Sequence, residues 1–180
     1  MIRLAVQSKG RLNEESLKLL KDAGIEVDDT KRKFIGKASG FPLELLYLRD
    51  DDNPGVVADG SADIGIVGLN EIAETGADVE VIRKLGFGKC RLSLAIPKSM
   101  EYHGLGWFEG KSIATSYPSI LRCFLSSKGI SSDIREIRGS VEIAPAAGIA
   151  DSIFDIVSSG GTLVSNGLKE VETVFESSGV

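Results

Sequence analysis

Apolar residues fall into short runs closed by glycine or polar positions: Leu4 to Val6, Leu43 to Leu48, Ile64 to Val67, Val79 to Leu85, Leu92 to Ile96, Ile113 to Thr115, Ile134 to Ile137 and Ile153 to Val157. Runs of this kind predict buried strands. Between several of them the apolar positions change to helical spacing. Over Asn13 to Ala23 the residues Leu12, Ser16, Leu19, Leu20 and Ala23 share a face, with Asn13 placed to cap the helix and Gly24 to stop it. A second helix is predicted from Pro118 to Ser127, because proline suits the first turn and Gly129 stands where the chain leaves the helix. Shorter helices are predicted at Pro54 to Asp59 and Leu69 to Glu74, and Pro97 to Gly110 reads as an irregular connection near a lobe boundary. Strand followed by helix, repeated, predicts an α/β fold. The sequence carries no internal repeat and no low-complexity run.

Composition narrows the function classes. A length of 180 residues with 42% apolar content fits one compact unit or two small lobes and is too apolar for a disordered chain. None of the apolar runs reaches the roughly 20 residues of a membrane span, so no membrane role is expected. The balance of 21 basic and 26 acidic side chains leaves a net charge near −5, which argues against nucleic-acid binding. The N-terminus enters a strand-like segment without the pattern of a secretory signal, so a cytoplasmic location is expected. Cys90 and Cys123 are then expected to be reduced structural thiols.

Against this background two groups of residues have chemical potential. The segment Asp151-Ser152-Ile153-Phe154-Asp155-Ile156-Val157 runs into Ser158-Ser159-Gly160-Gly161-Thr162, a hydroxyl- and glycine-rich loop. Such a loop offers N–H groups and hydroxyls to phosphate oxygens, although a plain tight turn would look the same. In an extended segment Asp151 and Asp155 share a face, where carboxylates beside a phosphate loop can hold ribose hydroxyls or hydrated Mg²⁺. The second group is basic: Lys9 and Arg11 after the first strand, Arg49 after the strand ending at Leu48, and the triplet Lys31-Arg32-Lys33, which also reads as a solvated turn. Ligands gather at the carboxyl ends of strands in open α/β sheets, so Lys9, Arg11 and Arg49 are placed for an anion. Tyr117, before Pro118, offers a stacking face or a half-buried ring, and Glu142 a carboxylate before a turn. Gly110-Lys111-Ser112 imitates the end of a P-loop, but the required earlier glycine is Leu105, and Gly86-Phe87-Gly88 lacks the third glycine of a dinucleotide fingerprint. His103 is the only histidine, which leaves little basis for a histidine triad or a histidine-rich zinc site.

Taken in order, Ser8-Lys9-Gly10-Arg11-Leu12, Leu48-Arg49-Asp50-Asp51-Asp52, Asp59-Gly60 with Asp63-Ile64-Gly65-Ile66-Val67-Gly68, Cys90 to Ala95, Ile113 to Pro118, Gly139-Ser140-Val141-Glu142, and Asp151 to Leu168 resemble one family, the ATP phosphoribosyltransferases that open histidine biosynthesis. The resemblance implies a two-lobed fold like that of periplasmic binding proteins of type II, each lobe a mixed, mostly parallel sheet flanked by helices. Residues 1–90 with 163–180 would form a first lobe on the ATP side, and residues 91–162 a second lobe on the phosphoribosyl pyrophosphate side. It implies Mg²⁺-dependent joining of ATP to phosphoribosyl pyrophosphate, with the metal held mainly by substrate phosphates. Glu142, Asp151, Asp155, Ser158, Ser159, Gly160, Gly161 and Thr162 would bind phosphoribosyl pyrophosphate, and Lys9, Arg11, Arg49 and Tyr117 would bind ATP. Arg32 and Lys33, with Arg11, become candidates for neutralising the departing pyrophosphate. The family association implies a homo-oligomer, a dimer or higher, and a possible separate regulatory subunit resembling a histidyl-tRNA synthetase. The same fold serves non-enzymatic small-molecule-binding modules, which the basic groups and the glycine-rich loop disfavour.

Overall fold

Strand β1 (Ile2–Gln7) is an interior strand of the first sheet, with a parallel neighbour on each side. On one side Leu4 faces Leu45 of β4 (Leu43–Leu48), and on the other it faces Ile64 of β5 (Ile64–Ile66). The computed structural model describes residues 1–27 and 34–180, and they divide into two compact units, Met1–Lys89 with Ser177–Val180, and Cys90–Glu176.

In the first unit the sheet has the order β2-β3-β4-β1-β5, where β2 (Glu26–Val27) and β3 (Ile35–Ser39) join as antiparallel strands. Helix α1 (Arg11–Asp22) buries Leu20 with Leu4, Val6, Leu43, Leu45 and Ile66, which form the core of this unit. Each fully buried aliphatic side chain contributes about 2 kcal/mol by leaving water. The cap expected at Asn13 is different. The helix starts two residues earlier, after Gly10 at φ 94°, and the Asn13 Nδ2 donates to the Gln7 carbonyl oxygen at 2.6 Å. Asn13 therefore ties the loop back to β1 instead of closing the helix. Helices α2 (Asn53–Ala58) and α3 (Leu69–Thr75) fall within a residue of expectation.

The run Val79 to Leu85 forms no strand; at its end Leu85 donates to the Gly179 carbonyl and Gly179 donates to that of Phe87, both at 2.9 Å. These bonds hold the two segments that lead to and from the second unit. The same segments press on α1. A Cβ at Gly88 would lie 2.9 Å from Leu12 Cδ1 and one at Gly179 would lie 3.2 Å from it, and the Gly88 N–H donates to Glu15 at 3.1 Å. The buried Ser177 hydroxyl donates to Asn70 Oδ1 at 2.7 Å and so fixes the return segment to α3.

In the second unit the order is β10-β6-β9-β7-β8. Its strands are β6 (Cys90–Pro97), β7 (Ser112–Thr115), β8 (Asp133–Glu136), β9 (Ser152–Val157) and β10 (Leu168–Ser177). Strand β7 pairs in parallel with both β8 and β9, whereas β6 runs antiparallel to β9. Helix α4 (Pro118–Ser127) packs Ile120, Leu121 and Leu125 on Leu92, Leu94, Phe108 and Phe154, and the opposite face holds Ala95, Ala114, Val141, Ile153 and Val157. Short helix α5 (Gly161–Ser165) follows the glycine-rich loop. Two expectations are corrected. Residues 163–176, expected in the first lobe, belong to the second unit, since β10 lies beside β6 as far as Glu176. The irregular segment from Pro97 to Gly110 is interior to the second unit, anchored by fully buried Phe108. Among the described residues no helix is long and apolar enough to cross a membrane.

Asn53 is fully buried with its Nδ2 donating to the Ile66 carbonyl, and a Cβ on Gly65 would meet its Oδ1 at 2.7 Å. Gly65→Ala should therefore destabilise the protein by about 1–3 kcal/mol through overpacking, read as a lowered urea midpoint.

Candidate functional site

Because β7, β8 and β9 are mutually parallel through β7, their carboxyl ends share one edge of the second sheet. Ligands in such sheets collect at that edge. Strand β9 leaves it at Val157 and enters exposed Ser158 and Ser159, then Gly160 at φ 80°, a left-handed conformation that glycine adopts without steric cost. Gly161 and Thr162, also exposed, open α5. The loop expected to receive a phosphate is thus exposed at the carboxyl edge of the sheet.

Beside it, Gly139 at φ 84° and Ser140 at φ 50° turn the chain into Val141–Ile143, one turn of 3-10 helix. Ser140 is the only non-glycine residue with positive φ among the described residues, and strain of this sort is stored where a side chain must be aimed. Half-buried Glu142 follows two residues later in this turn. Its negative charge reaches Asp155 on β9, whose carboxyl is pushed up to about 6, first by burial and then by Glu142, against a hydrogen bond from its own neighbour Ile156 N–H at 2.8 Å. Carboxylates are hard oxygen donors suited to ribose hydroxyls or to Mg²⁺ already carried by phosphates. Among the described residues no group of three or more His, Cys, Asp or Glu side chains could hold a metal by itself.

Asp151 does not join this cluster. It precedes β9 at the amino end of the strand, about 20 Å of extended chain from the loop. There the Ser112 backbone N–H and hydroxyl both donate to Asp151 Oδ2 at 2.8 Å, and these bonds, helped by Lys111 and Arg135, hold its carboxyl below the ordinary range. Its work is to pin the start of β9 to the start of β7. Tyr117 also departs from expectation. It is 9% exposed and packs in the core with Leu121 and Phe154, so its ring offers no open stacking face. Its N–H donates to Thr115 Oγ1 at 2.8 Å, which shapes the turn from β7 into α4.

Sequence reasoning missed a polar network joining three neighbouring strands. Arg91 on β6 makes a two-toothed pair with Glu170 on β10, Nε and Nη2 each 2.6 Å from a carboxylate oxygen, and Nη1 lies 3.4 Å from the Ser158 carbonyl. Ser93 Oγ donates to Glu170 at 2.7 Å. The available signal was an arginine and a glutamate inside strand patterns, where neither charge belongs unpaired.

In the first unit, Lys9, Arg11 and Arg49 are exposed at the carboxyl ends of β1 and β4. Arg49 is partly neutralised by Asp51 at 3.1 Å and Arg11 by Glu15 at 3.5 Å. Between these ends, Gln7 Nε2 donates to Asp50 Oδ2 at 2.6 Å, while Asp50 Oδ1 is buried without a hydrogen-bond partner among the described residues. Burial, and next the charge of Asp51, push the Asp50 carboxyl up to about 6. Arg32 and Lys33 lie outside the described residues.

Residues 49–180 match the family model described as HisG: ATP phosphoribosyltransferase. The chain belongs to the ATP phosphoribosyltransferase family. It is 63% identical over 175 residues to an ATP phosphoribosyltransferase of Parabacteroides distasonis, covering 97% of this chain and 62% of that protein. To that of Cytophaga hutchinsonii it is 56% identical over 180 residues, covering 100% and 63%. The chain thus spans less than two thirds of the length of these family members. Among solved structures, a chain of the ATP phosphoribosyl transferase (HisG:HisZ) complex from Thermotoga maritima superposes with a TM-score of 0.84 at 30% identity, covering 99% of this chain and 85% of that one. A histidine kinase sensor domain similar to periplasmic binding proteins superposes at 0.60 with 11% identity, which bears on the fold alone.

The raised value at Asp155 has a consequence for stability. The folded state holds this proton more tightly than the unfolded chain, so the group favours folding below about pH 4, and that advantage is lost as pH rises to about 6. Asp155→Asn should remove this pH dependence and raise stability at neutral pH by on the order of 2 kcal/mol, seen in thermal melts of parent and variant at low and neutral pH.

Proposed function

We propose that the whole protein catalyses Mg²⁺-dependent transfer of the phosphoribosyl group from phosphoribosyl pyrophosphate to N1 of ATP, the first step of histidine biosynthesis. The observation that carries this reading is the Glu142 and Asp155 pair beside the Ser158 to Thr162 loop at the carboxyl edge of β7 and β9, in a chain of this family. The adenine N1 lone pair forms the new bond to the anomeric carbon while the carbon–oxygen bond to pyrophosphate breaks and its electrons leave with the oxygen. No side-chain nucleophile is required, so orientation and charge stabilisation supply the rate.

In this reading Ser158, Ser159, Gly160, Gly161 and Thr162 bind the 5-phosphate. Glu142 and Asp155 accept hydrogen bonds from the ribose hydroxyls and hold their geometry as positive charge develops on the ring. Mg²⁺ carried by the pyrophosphate would supply charge neutralisation for the leaving group, with Glu142 and Asp155 the carboxylates that would meet it. Lys9, Arg11 and Arg49 attract the triphosphate of ATP, and Arg32 and Lys33 neutralise the departing pyrophosphate. The Thermotoga maritima relative is part of a HisG:HisZ complex, which supports a separate regulatory subunit here, resembling a histidyl-tRNA synthetase. A homo-oligomer, a dimer or higher, and a cytoplasmic location complete the proposal.

The test is formation of phosphoribosyl-ATP by the full-length protein from ATP, phosphoribosyl pyrophosphate and Mg²⁺, with pyrophosphatase to draw the reaction forward. Binding of either substrate without turnover, in the presence of the regulatory subunit, would favour a small-molecule-binding module instead. Gly160→Val should abolish phosphoribosyl pyrophosphate binding in calorimetry while circular dichroism stays that of the parent, since a branched side chain is strained at φ 80° and occupies the loop. Arg32→Ala should lower kcat more than it raises KM for ATP.

A further inference from the structure

The glycine-rich loop makes few side-chain hydrogen bonds of its own, so what orients its peptides bears directly on phosphate affinity. The first peptide after β9 is the decisive one. Its carbonyl, from Ser158, is a hydrogen-bond acceptor that would repel a phosphate oxygen if it faced the ligand. In a trans peptide the C=O of Ser158 and the N–H of Ser159 point in opposite directions, so whatever holds one aims the other. Arg91 Nη1 lies 3.4 Å from that carbonyl oxygen.

Arg91 is itself held. It stands opposite Val157 in the β6–β9 register, immediately before the loop, and β6 lies between β9 and β10 in the sheet. From β10, Glu170 grips Nε and Nη2 at 2.6 Å each, a fork-to-fork arrangement that fixes the plane of the guanidinium. The Ser93 hydroxyl at 2.7 Å and the Thr173 hydroxyl at 3.4 Å further occupy the same carboxylate. Glu170 is held below the ordinary carboxylate range chiefly by Arg91. Its negative charge is thereby matched and adds little repulsion toward an incoming phosphate.

We infer that Arg91, oriented by Glu170, is a positioning residue for the phosphate loop: it draws the Ser158 carbonyl aside and so turns the Ser159 N–H toward the 5-phosphate of the phosphoribosyl ligand. This deepens the proposed function and rests on it. Lysine would keep the charge but could not grip Glu170 with two teeth and reach Ser158 with a third donor. The role is geometric, and charge alone does not fulfil it.

The experiment is calorimetry on the full-length protein with phosphoribosyl pyrophosphate, ribose 5-phosphate, inorganic pyrophosphate and ATP, for the parent, Arg91→Lys, Arg91→Ala and Glu170→Gln. Expected is a loss of about tenfold or more in affinity for the two ligands that carry a 5-phosphate, in both Arg91 variants. Glu170→Gln should show a smaller loss, and ATP and pyrophosphate should bind as to the parent. A defect of packing alone would lower the melting temperature and weaken all four ligands together, which would overturn the inference. Parent-like binding of ribose 5-phosphate by Arg91→Lys would overturn it as well, by showing that charge suffices. If the parent binds neither ligand with a 5-phosphate, the proposed function itself falls and takes this inference with it; parent binding with unchanged variants defeats the inference alone.

Discussion

Parallel pairing of β7 with β9 is the constraint on which the second unit depends. It brings the exits of both strands to one edge, and the chain must turn sharply at each exit. After β9 the turn is Ser158 to Gly160. After β7 it passes through Thr115 to Tyr117 into α4. Once β8 is added in parallel, the segment after it, Gly139 to Glu142, is delivered to the same edge. Antiparallel pairing would have scattered these three turns between opposite ends of the sheet. The partly buried Asp155 costs stability at neutral pH, and the structure keeps that cost where a ligand with hydroxyls or a metal can use the carboxylate.

The first unit has a comparable arrangement built from different parts. Asp50 at the end of β4 is raised to about 6 by burial, with Gln7 at the end of β1 as its hydrogen-bond partner. Around it the cations Lys9, Arg11 and Arg49 remain exposed. Each unit therefore has a carboxyl group of raised pKa at the carboxyl edge of its sheet, one amid exposed positive charge and one beside a glycine-rich loop.

Much of this was legible in the residues. Strands such as Leu43 to Leu48 and helices such as Pro118 to Ser127 could be read because burial imposes a period and proline and glycine punctuate it. The turn at Gly160 after β9 could be read because glycine punctuates the end of an apolar run, and its left-handed φ is one that glycine adopts without steric cost. Strand β10 was harder. Its sequence, Leu168-Lys169-Glu170-Val171-Glu172-Thr173-Val174-Phe175-Glu176-Ser177, mixes charge into both faces, and Glu170 and Glu172 find partners far away in the chain, Arg91 and Tyr102. The same reason hid the Arg91 network. Asp151 misled because alternation along a strand gives the face of a residue and says nothing of which end of the strand reaches the site. Tyr117 misled because a tyrosine at a helix start serves core and surface equally well.

Leu12 touches the space on which both Gly88 and Gly179 depend, and it lies in the first turn of α1, directly after basic Lys9 and Arg11. Positions far apart in the chain thus share one small volume. Gly88 is held at φ 62° and a Cβ at Gly179 would also meet the Phe87 ring at 3.2 Å, so trimming Leu12 alone would not admit a side chain at either glycine. Drift in the segments that link the two units is then felt first at the loop proposed to meet ATP, which ties the inheritance of the crossing points to that of the binding edge.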